Sequence, residues 1–258
     1  GQKVYVPQLA NKVVVVLDTD LKLLSVWKDI PSPHGVSVAE DGTVYIGTHR
    51  SGRLKKFDGE GKEIPDWDSQ LVSEERMKAP VAVTVGPDQN LYVCDWILQR
   101  VIETSTDGRF IRVFDDGEIK SRNHFQPHGV ALDTLNKRIY VADRGSDGGS
   151  GVIQVFSMDG GYLGHWPRPT ADFDPLSIRS LGEQMYIAPS YSDGGLYIFD
   201  DQGGLLEKID AYGDGPGKFK HATNTVLDDK GFLYVAELDG NRIQKVDFRS
   251  IIAAGKTK

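Results

Sequence analysis

Two histidines occupy the same place in two copies of a short motif, and their spacing suggests a metal site. His34 stands in the run Pro33-His34-Gly35, and His128 stands in the run Pro127-His128-Gly129. A third histidine, His221, lies two residues before the corresponding position of a later copy. Neutral imidazole is the commonest metal ligand among side chains, and three protein ligands with an open fourth position are typical of catalytic zinc. We therefore expect His34, His128 and His221 to bind a divalent metal, zinc in the first place.

The motif belongs to a repeat that runs along the chain. The position of His128 recurs at separations of 47, 47, 48 and 47 residues, at His34, Val81, His128, Leu176 and Thr223. A tyrosine between apolar residues recurs at separations of 40, 47, 48, 46 and 48, at Tyr5, Tyr45, Tyr92, Tyr140, Tyr186 and Tyr234. So steady a period indicates units that each bury their apolar faces against their neighbours.

Each full unit predicts four short strands in meander order. Strand a follows Pro-x, strand b holds the tyrosine, strand c resembles the run R-I-Q-V-F, and strand d follows a glycine-rich turn. Six such units predict an all-β, six-bladed β-propeller that occupies residues 1–258 as one domain. No strand a precedes Tyr5, so the first unit looks incomplete. The tail after Phe248 has room for one strand, which could belong to either the first or the last blade.

In a propeller, the starts of strands a and the ends of strands b lie at one face, around the central channel. The residues just after strand b are His49, Trp96, Arg144 and Tyr191, with Asp95 and Glu237 ending two b strands. We expect Arg144 to bind an anionic group or developing charge, and His49 or Tyr191 to serve as a base. Metal-bound hydroxide is an alternative base.

We expect Trp96, Asp95, Asn224 and Glu237 to contact the substrate, and structural alternatives stay open for several of these residues. Trp96 could stack on a ligand or pack half-buried, and Asp95, Glu237 or water could replace His221 as the third metal ligand. Asn224 and Glu237 could instead serve calcium, the second choice of metal. The histidines of the Pro-His-Gly runs could simply bond neighbouring backbone, and Arg144 could pair with a carboxylate such as Asp95. The repeated tyrosines are expected to be packing elements.

The runs P-H-G-V-A-L-D, I-Y-V-A-D-R and V-I-Q-V-F resemble NHL repeats, and the first blade is similar to the YVTN type. Among NHL propellers, the chain resembles peptidyl-α-hydroxyglycine α-amidating lyase, a zinc-dependent enzyme. That resemblance implies zinc on His34 and His128 and a functional arginine at Arg144. The chain departs from the family pattern at Thr223, where a third histidine is expected. It also departs near Trp96 and Ile97, where a catalytic tyrosine is expected, and in the first blade, which has no arginine.

Composition restricts the partners. The chain has 30 basic and 37 acidic residues, a net charge of −7, which disfavours nucleic acid and anionic membranes. No stretch approaches the roughly 20 apolar residues that span a bilayer. A monomer is expected. The chain starts at Gly1, so a secreted or periplasmic protein with a removed leader and a cytoplasmic protein both remain open.

Two functions follow from these observations. The first is a metal-dependent lyase or hydrolase that acts on a small molecule or peptide at the channel mouth. The alternative is a non-catalytic propeller that binds a peptide, sugar or protein partner through the same loops.

Overall fold

The computed structural model describes residues 2–65, 76–114, 125–145, 151–182, 184–209 and 212–250. The chain divides into two compact units, Gly1–Lys120 and Ser121–Lys258, which we call unit 1 and unit 2. The prediction that residues 1–258 form one domain stays a prediction. The tail strand expected to complete a blade falls largely on 251–258, outside the described residues.

Unit 1 contains three antiparallel sheets, blades 1 to 3, whose strands pair in chain order. Blade 1 consists of β1 (Lys3–Gln8), β2 (Val13–Asp18) and β3 (Leu23–Trp27). Blade 2 consists of β4 (Pro33–Val38), β5 (Val44–Thr48), β6 (Arg53–Phe57) and β7 (Glu63–Ile64). Blade 3 consists of β8 (Pro80–Val85), β9 (Asn90–Asp95), β10 (Arg100–Ser105) and β11 (Phe110–Phe114).

Unit 2 repeats this arrangement in blades 4 to 6. Blade 4 consists of β12 (Pro127–Asp133), β13 (Arg138–Asp143), β14 (Val152–Ser157) and β15 (Tyr162–His165). Blade 5 consists of β16 (Arg179–Gly182), β17 (Met185–Pro189), β18 (Leu196–Phe199) and β19 (Leu205–Ile209). Blade 6 consists of β20 (Ala222–Leu227), β21 (Phe232–Glu237) and β22 (Arg242–Asp247). Within the described ranges, no helix is long and apolar enough to span a bilayer.

Six sheets of three or four antiparallel strands confirm the predicted fold class, an all-β, six-bladed β-propeller. Blade 1 has three strands and begins with the strand that holds Tyr5, as expected from the missing strand a. The other five repeated tyrosines are at most 4% exposed, which confirms that they are packing elements. Packing in the core therefore explains the sequence that the strands share, and the blades differ mainly in the residues between the strands.

One backbone hydrogen bond recurs in blades 2 to 6 and fixes the entrance to each blade. The N–H of the residue one or two positions after strand b donates to the carbonyl of the residue that lies two positions before the repeat position of His34. The bonded pairs are His49–Ser32, Trp96–Ala79, Arg144–Gln126, Tyr191–Asp174 and Leu238–His221, at 2.9–3.2 Å. These bonds put His49, Trp96, Arg144 and Tyr191 in equivalent local positions, as the repeat predicts. They also show that His221 is equivalent to Ser32 and not to His34.

The glycines of the two Pro-His-Gly runs are required by close packing between blades. A Cβ at Gly35 would lie 2.6 Å from the Cα of Ala82, and a Cβ at Gly129 would lie 2.6 Å from the Cα of Ser177. Neither contact is tolerable for carbon atoms, because close-packed interiors leave no room for an added methyl group. The glycines therefore serve the fold, whereas the histidines beside them are exposed or half-buried.

Candidate functional site

Carboxylates at the ends of three b strands hold the loops that enter the blades. In unit 1, Asp95 is fully buried and accepts backbone hydrogen bonds from Lys78, Ala79 and Leu98 at 2.8, 3.0 and 3.2 Å. In unit 2, Asp143 accepts hydrogen bonds from the amides of Gln126 and Gly145 at 2.8 and 3.0 Å. These carboxylates satisfy backbone groups that burial would otherwise leave unpaired.

Glu237 has the same structural role in blade 6, with stronger partners. Its Oε1 accepts hydrogen bonds from Arg242 Nε and Gln244 Nε2, both at 2.7 Å. Its Oε2 accepts hydrogen bonds from the amide of Lys220 at 2.8 Å and from Arg242 Nη2 at 3.3 Å. Burial opposes ionisation of Glu237, but these hydrogen bonds outweigh it and hold its pKa below the usual range. The carboxylate therefore has no acceptor position left for a ligand.

Asn224 is also engaged within the protein, since its Oδ1 accepts the amide hydrogen of Thr225 at 2.9 Å. The substrate-binding roles of Asp95, Asn224 and Glu237 stay predictions, as does calcium at the last two. Because the carboxylates of Asp95 and Glu237 already accept backbone hydrogen bonds at the loop entrances, the proposed function does not include them.

In unit 1, three predicted site residues form one cluster, which we call the imidazole cluster: His34, His49 and Trp96. The ring centroids of His34 and His49 are 5.8 Å apart at an interplanar angle of 63°. The centroids of His49 and Trp96 are 5.4 Å apart. His34 Nδ1 lies 2.7 Å from the carbonyl oxygen of Val81 in the next blade. A carbonyl only accepts, so Nδ1 carries the hydrogen and the neutral ring keeps its lone pair on Nε2.

Both imidazoles of this cluster favour the uncharged form. Although His34 is exposed to solvent, surrounding protein atoms crowd its ring, and this desolvation lowers its pKa. The Val81 carbonyl opposes the shift, and the neighbouring His49 adds to it. Burial also lowers the pKa of His49, with a smaller contribution from Arg50. No carboxylate of the described residues is among the groups that shift either pKa.

In unit 2, Arg144 is held by a carboxylate, one of the two alternatives that the sequence left open, and the partner is Asp174 and not Asp95. Arg144 Nε and Nη2 donate to the two Asp174 oxygens at 2.7 and 2.6 Å, a bidentate pair. The Asp174 side chain is 1% exposed and that of Arg144 is 26% exposed. The guanidinium carbon lies 5.3 Å from the centroid of Tyr191. Ser192 Oγ also donates to Asp174, at 3.3 Å.

The same Tyr191 ring stacks on His221, with centroids 4.7 Å apart and an interplanar angle of 26°. His221 Nδ1 donates to Asp239 Oδ2 at 2.6 Å. Tyr212 packs edge-on against the imidazole with centroids 6.0 Å apart. Arg144, Tyr191 and His221 are thus neighbours, braced by one carboxylate at each end. We call Asp174, Arg144, Tyr191, His221 and Asp239 the braced array.

The three histidines of the metal prediction are shared between the units: His34 is in unit 1, and His128 and His221 are in unit 2. His128 Nδ1 bonds the carbonyl of Gln126 at 3.0 Å, so all three rings use Nδ1 for a hydrogen bond to an oxygen. Metal-binding histidines share this arrangement. His165, on β15, has it too, through the Trp166 carbonyl, so the arrangement alone is not specific.

Two functional candidates escaped the sequence reasoning, Asp174 and Asp239. Asp174 occupies the repeat position of Ser32, Gln126 and His221, and the sequence marks nothing unusual there. Asp239 precedes Gly240, and an Asp-Gly pair is typical of a turn. One sequence feature could have identified Asp174: it is the acidic residue at a position that Ser, Ala, Gln and His occupy in blades 2, 3, 4 and 6.

Sequence comparisons support the fold and its relationship to NHL repeats. The family model DUF5128, described as a 6-bladed beta-propeller, matches residues 174–255. NHL repeat-containing protein 3 of Homo sapiens is 25% identical over 203 residues, covering 71% of this chain and 57% of the human protein. The Mus musculus protein matches to the same extent. The match therefore spans little more than half the length of these relatives.

Solved structures with the same fold have different functions. The nidogen/laminin complex gives a TM-score of 0.74 at 14% identity, covering 93% of this chain and 88% of that one. A gluconolactonase from Xanthomonas campestris gives a TM-score of 0.69 at 16% identity, covering 91% of this chain and 79% of that one. A streptogramin B lyase gives a TM-score of 0.61 at 17% identity, covering 84% of this chain and 66% of that one. Such low identities show the fold alone. The chain is thus an all-β, six-bladed β-propeller homologous to NHL repeat-containing protein 3.

Proposed function

We propose that the chain is a small-molecule lyase or hydrolase whose proton-transfer group is His221, oriented by Asp239. The observation that carries the proposal is the 2.6 Å hydrogen bond from His221 Nδ1 to Asp239 Oδ2. This bond selects the tautomer with a free lone pair on Nε2, the form that a general base needs. The carboxylate also stabilises the imidazolium that forms when Nε2 takes a proton.

Arg144 would supply the second requirement, a fixed donor for an oxygen that becomes negative. Asp174 engages Nε and Nη2, and among the described residues Nη1 has no hydrogen-bond partner. A preorganised donor of this kind stabilises developing charge without reorganising during the reaction. Because Asp174 neutralises the guanidinium, we expect Arg144 to contact a carbonyl or developing oxyanion rather than to attract anions from a distance.

These two groups suffice for either reaction class. In hydrolysis, His221 Nε2 would take a proton from water as the water oxygen bonds to the carbonyl carbon. The ester bond would then break, and the leaving alcohol would take the proton back. In elimination, Nε2 would take a proton from the carbon beside a carbonyl, and a leaving group would depart from the next carbon as the double bond forms. A gluconolactonase and a streptogramin B lyase share the fold, so both classes have precedent on it.

No step of this proposal uses a metal. Within the described residues, no three or more His, Cys, Asp or Glu side chains group together in a way that could hold a metal ion. Zinc on His34, His128 and His221 stays a prediction. Metal analysis of protein purified without chelator or affinity tag tests it, and stoichiometric zinc that is lost in His128→Ala as well as in His34→Ala would support it.

The test of the proposal is hydrolysis of δ-gluconolactone and p-nitrophenyl acetate, together with elimination from a β-acyloxy ketone. We expect His221→Gln to lower kcat/KM by about 100-fold or more and Asp239→Asn by about tenfold or more. The control is His165→Gln, an exposed histidine whose Nδ1 bonds a backbone carbonyl instead of a carboxylate, and it should stay near wild type. Unchanged turnover in His221→Gln would refute the proposal. A wild-type protein inactive on every substrate would favour the non-catalytic binding propeller.

A further inference from the structure

We propose that His34 and His49 form a two-histidine site for a borderline transition-metal ion, Zn²⁺, Ni²⁺ or Cu²⁺, with both ligands in unit 1. The pair differs from the three-histidine centre expected from the repeat, because His49 follows strand b of the same blade in which His34 enters strand a. It is also independent of the braced array, so either proposal can fail without the other.

The hydrogen bonds of the pair leave ring nitrogens available for an ion. His34 Nδ1 is committed to the Val81 carbonyl at 2.7 Å, which orients the ring and leaves Nε2 as the electron-pair donor. A histidine that binds metal through one nitrogen normally donates the other N–H to such an oxygen. His49 is half-buried, and within the described part of the chain its ring has ring contacts but no hydrogen bond.

The separation of the rings suits a shared ion. An imidazole nitrogen lies about 2.0–2.1 Å from zinc, and two imidazoles on one ion therefore have centroids about 5 to 6.5 Å apart. The observed separation of 5.8 Å falls within that range, and the 63° angle between planes is compatible with two nitrogens that converge from different directions.

The chemistry of the pair selects the class of ion. Imidazole suits Zn²⁺, Cu²⁺ and Ni²⁺, whereas Ca²⁺ and Mg²⁺ require oxygen ligands. Among the residues that the structure describes, no carboxylate shifts the pKa of either ring, so no described carboxylate completes a calcium site at the pair. Two protein ligands leave the remaining positions to water or a small-molecule ligand, so the expected affinity is modest.

Trp96 provides a built-in reporter, because its ring centroid lies 5.4 Å from that of His49. Ni²⁺ or Cu²⁺ at the pair should quench the fluorescence of this tryptophan. The experiment is a Ni²⁺ titration of untagged, chelator-free full chain, followed by tryptophan fluorescence and by calorimetry. We expect one equivalent to bind, with quenching that disappears in Trp96→Phe while the calorimetric binding remains.

The variants decide which histidines bind. We expect His34→Ala and His49→Ala each to weaken Ni²⁺ binding at least tenfold, and His165→Ala to leave it unchanged. If His49→Ala unfolds, His49→Gln retains a polar side chain of similar size, and thermal unfolding identifies the folded variants. Binding that survives removal of His49, or no binding at millimolar Ni²⁺, would overturn the proposal. Binding that depends on His34, His128 and His221 but not on His49 would overturn it in favour of the three-histidine centre.

Discussion

The imidazole cluster of unit 1 and the braced array of unit 2 share the repeat position that follows strand b but differ in charge. His49 and Trp96 follow strands b in blades 2 and 3, and Arg144 and Tyr191 do so in blades 4 and 5. In each unit the two side chains contact each other, at 5.4 Å between centroids in unit 1 and 5.3 Å from guanidinium to ring in unit 2. The repeated backbone hydrogen bond fixes all four positions.

The difference lies in the carboxylates. Asp174 and Asp239 brace Arg144 and His221 in unit 2, whereas within the described ranges of unit 1 no carboxylate influences the pKa of His34 or His49. A carboxylate beside an imidazole favours proton transfer, and an imidazole without one offers a neutral nitrogen to a metal. One repeat can therefore present two chemistries through a few substitutions, while its strands keep the same packing.

The largest expected effect comes from breaking the buried end of the braced array. Asp174→Asn should lower the free energy of unfolding by about 2–3 kcal/mol. This is less than for a wholly buried pair, because a quarter of the Arg144 side chain is exposed. Asp239→Asn should cost only about 0.5 kcal/mol, since the Asp239 side chain is 51% exposed. Urea unfolding of both variants measures the contrast. Equal losses of unfolding free energy would show that the Asp174 carboxylate does not anchor Arg144.

A smaller effect should come from the glycines that both units share. Gly35→Ala in unit 1 and Gly129→Ala in unit 2 should each destabilise the protein by about 1–3 kcal/mol, because the added methyl group meets backbone of the next blade at 2.6 Å. Gly215→Ala is the control, since its nearest neighbour would be a lysine carbon at 3.9 Å. Thermal unfolding compares them. A tolerated Gly35→Ala would mean that the two units do not pack alike at this position.

The smallest of the three expected effects on stability concerns Glu237, the carboxylate that holds the loop entering blade 6. The pKa of Glu237 is depressed in the folded protein, so its stabilisation is present above the ordinary carboxyl pKa and is lost as pH falls through the folded value. Glu237→Gln should cost about 1–2 kcal/mol at pH 7 and progressively less in acid. Urea unfolding at several pH values measures this, with exposed Glu60→Gln as control. A cost independent of pH would contradict the assigned ionisation.

The sequence predicts the fold well because packing repeats. Tyrosine spacing identified the six blades, and the missing first strand of blade 1 followed from the absence of an apolar run before Tyr5. Contacts between side chains do not repeat, so they were harder to foresee. The spacing put Arg144 and Tyr191 at equivalent positions of neighbouring blades, but it could not show that Asp174 neutralises the guanidinium or that His221 turns to Asp239. Those contacts depend on which side chain each loop presents, and every blade has a different one.

The division between the two clusters is tested most directly by ¹H–¹⁵N spectra of the histidine rings with and without one equivalent of Zn²⁺. We expect the Nδ1–H tautomer for His34 and His221, as their hydrogen bonds require. Zinc should shift the ring nitrogens of His34 and His49 and leave those of His221 unchanged. Zinc-dependent shifts in His34, His128 and His221 together, with His49 unaffected, would contradict the division and restore the metal centre expected from the repeat.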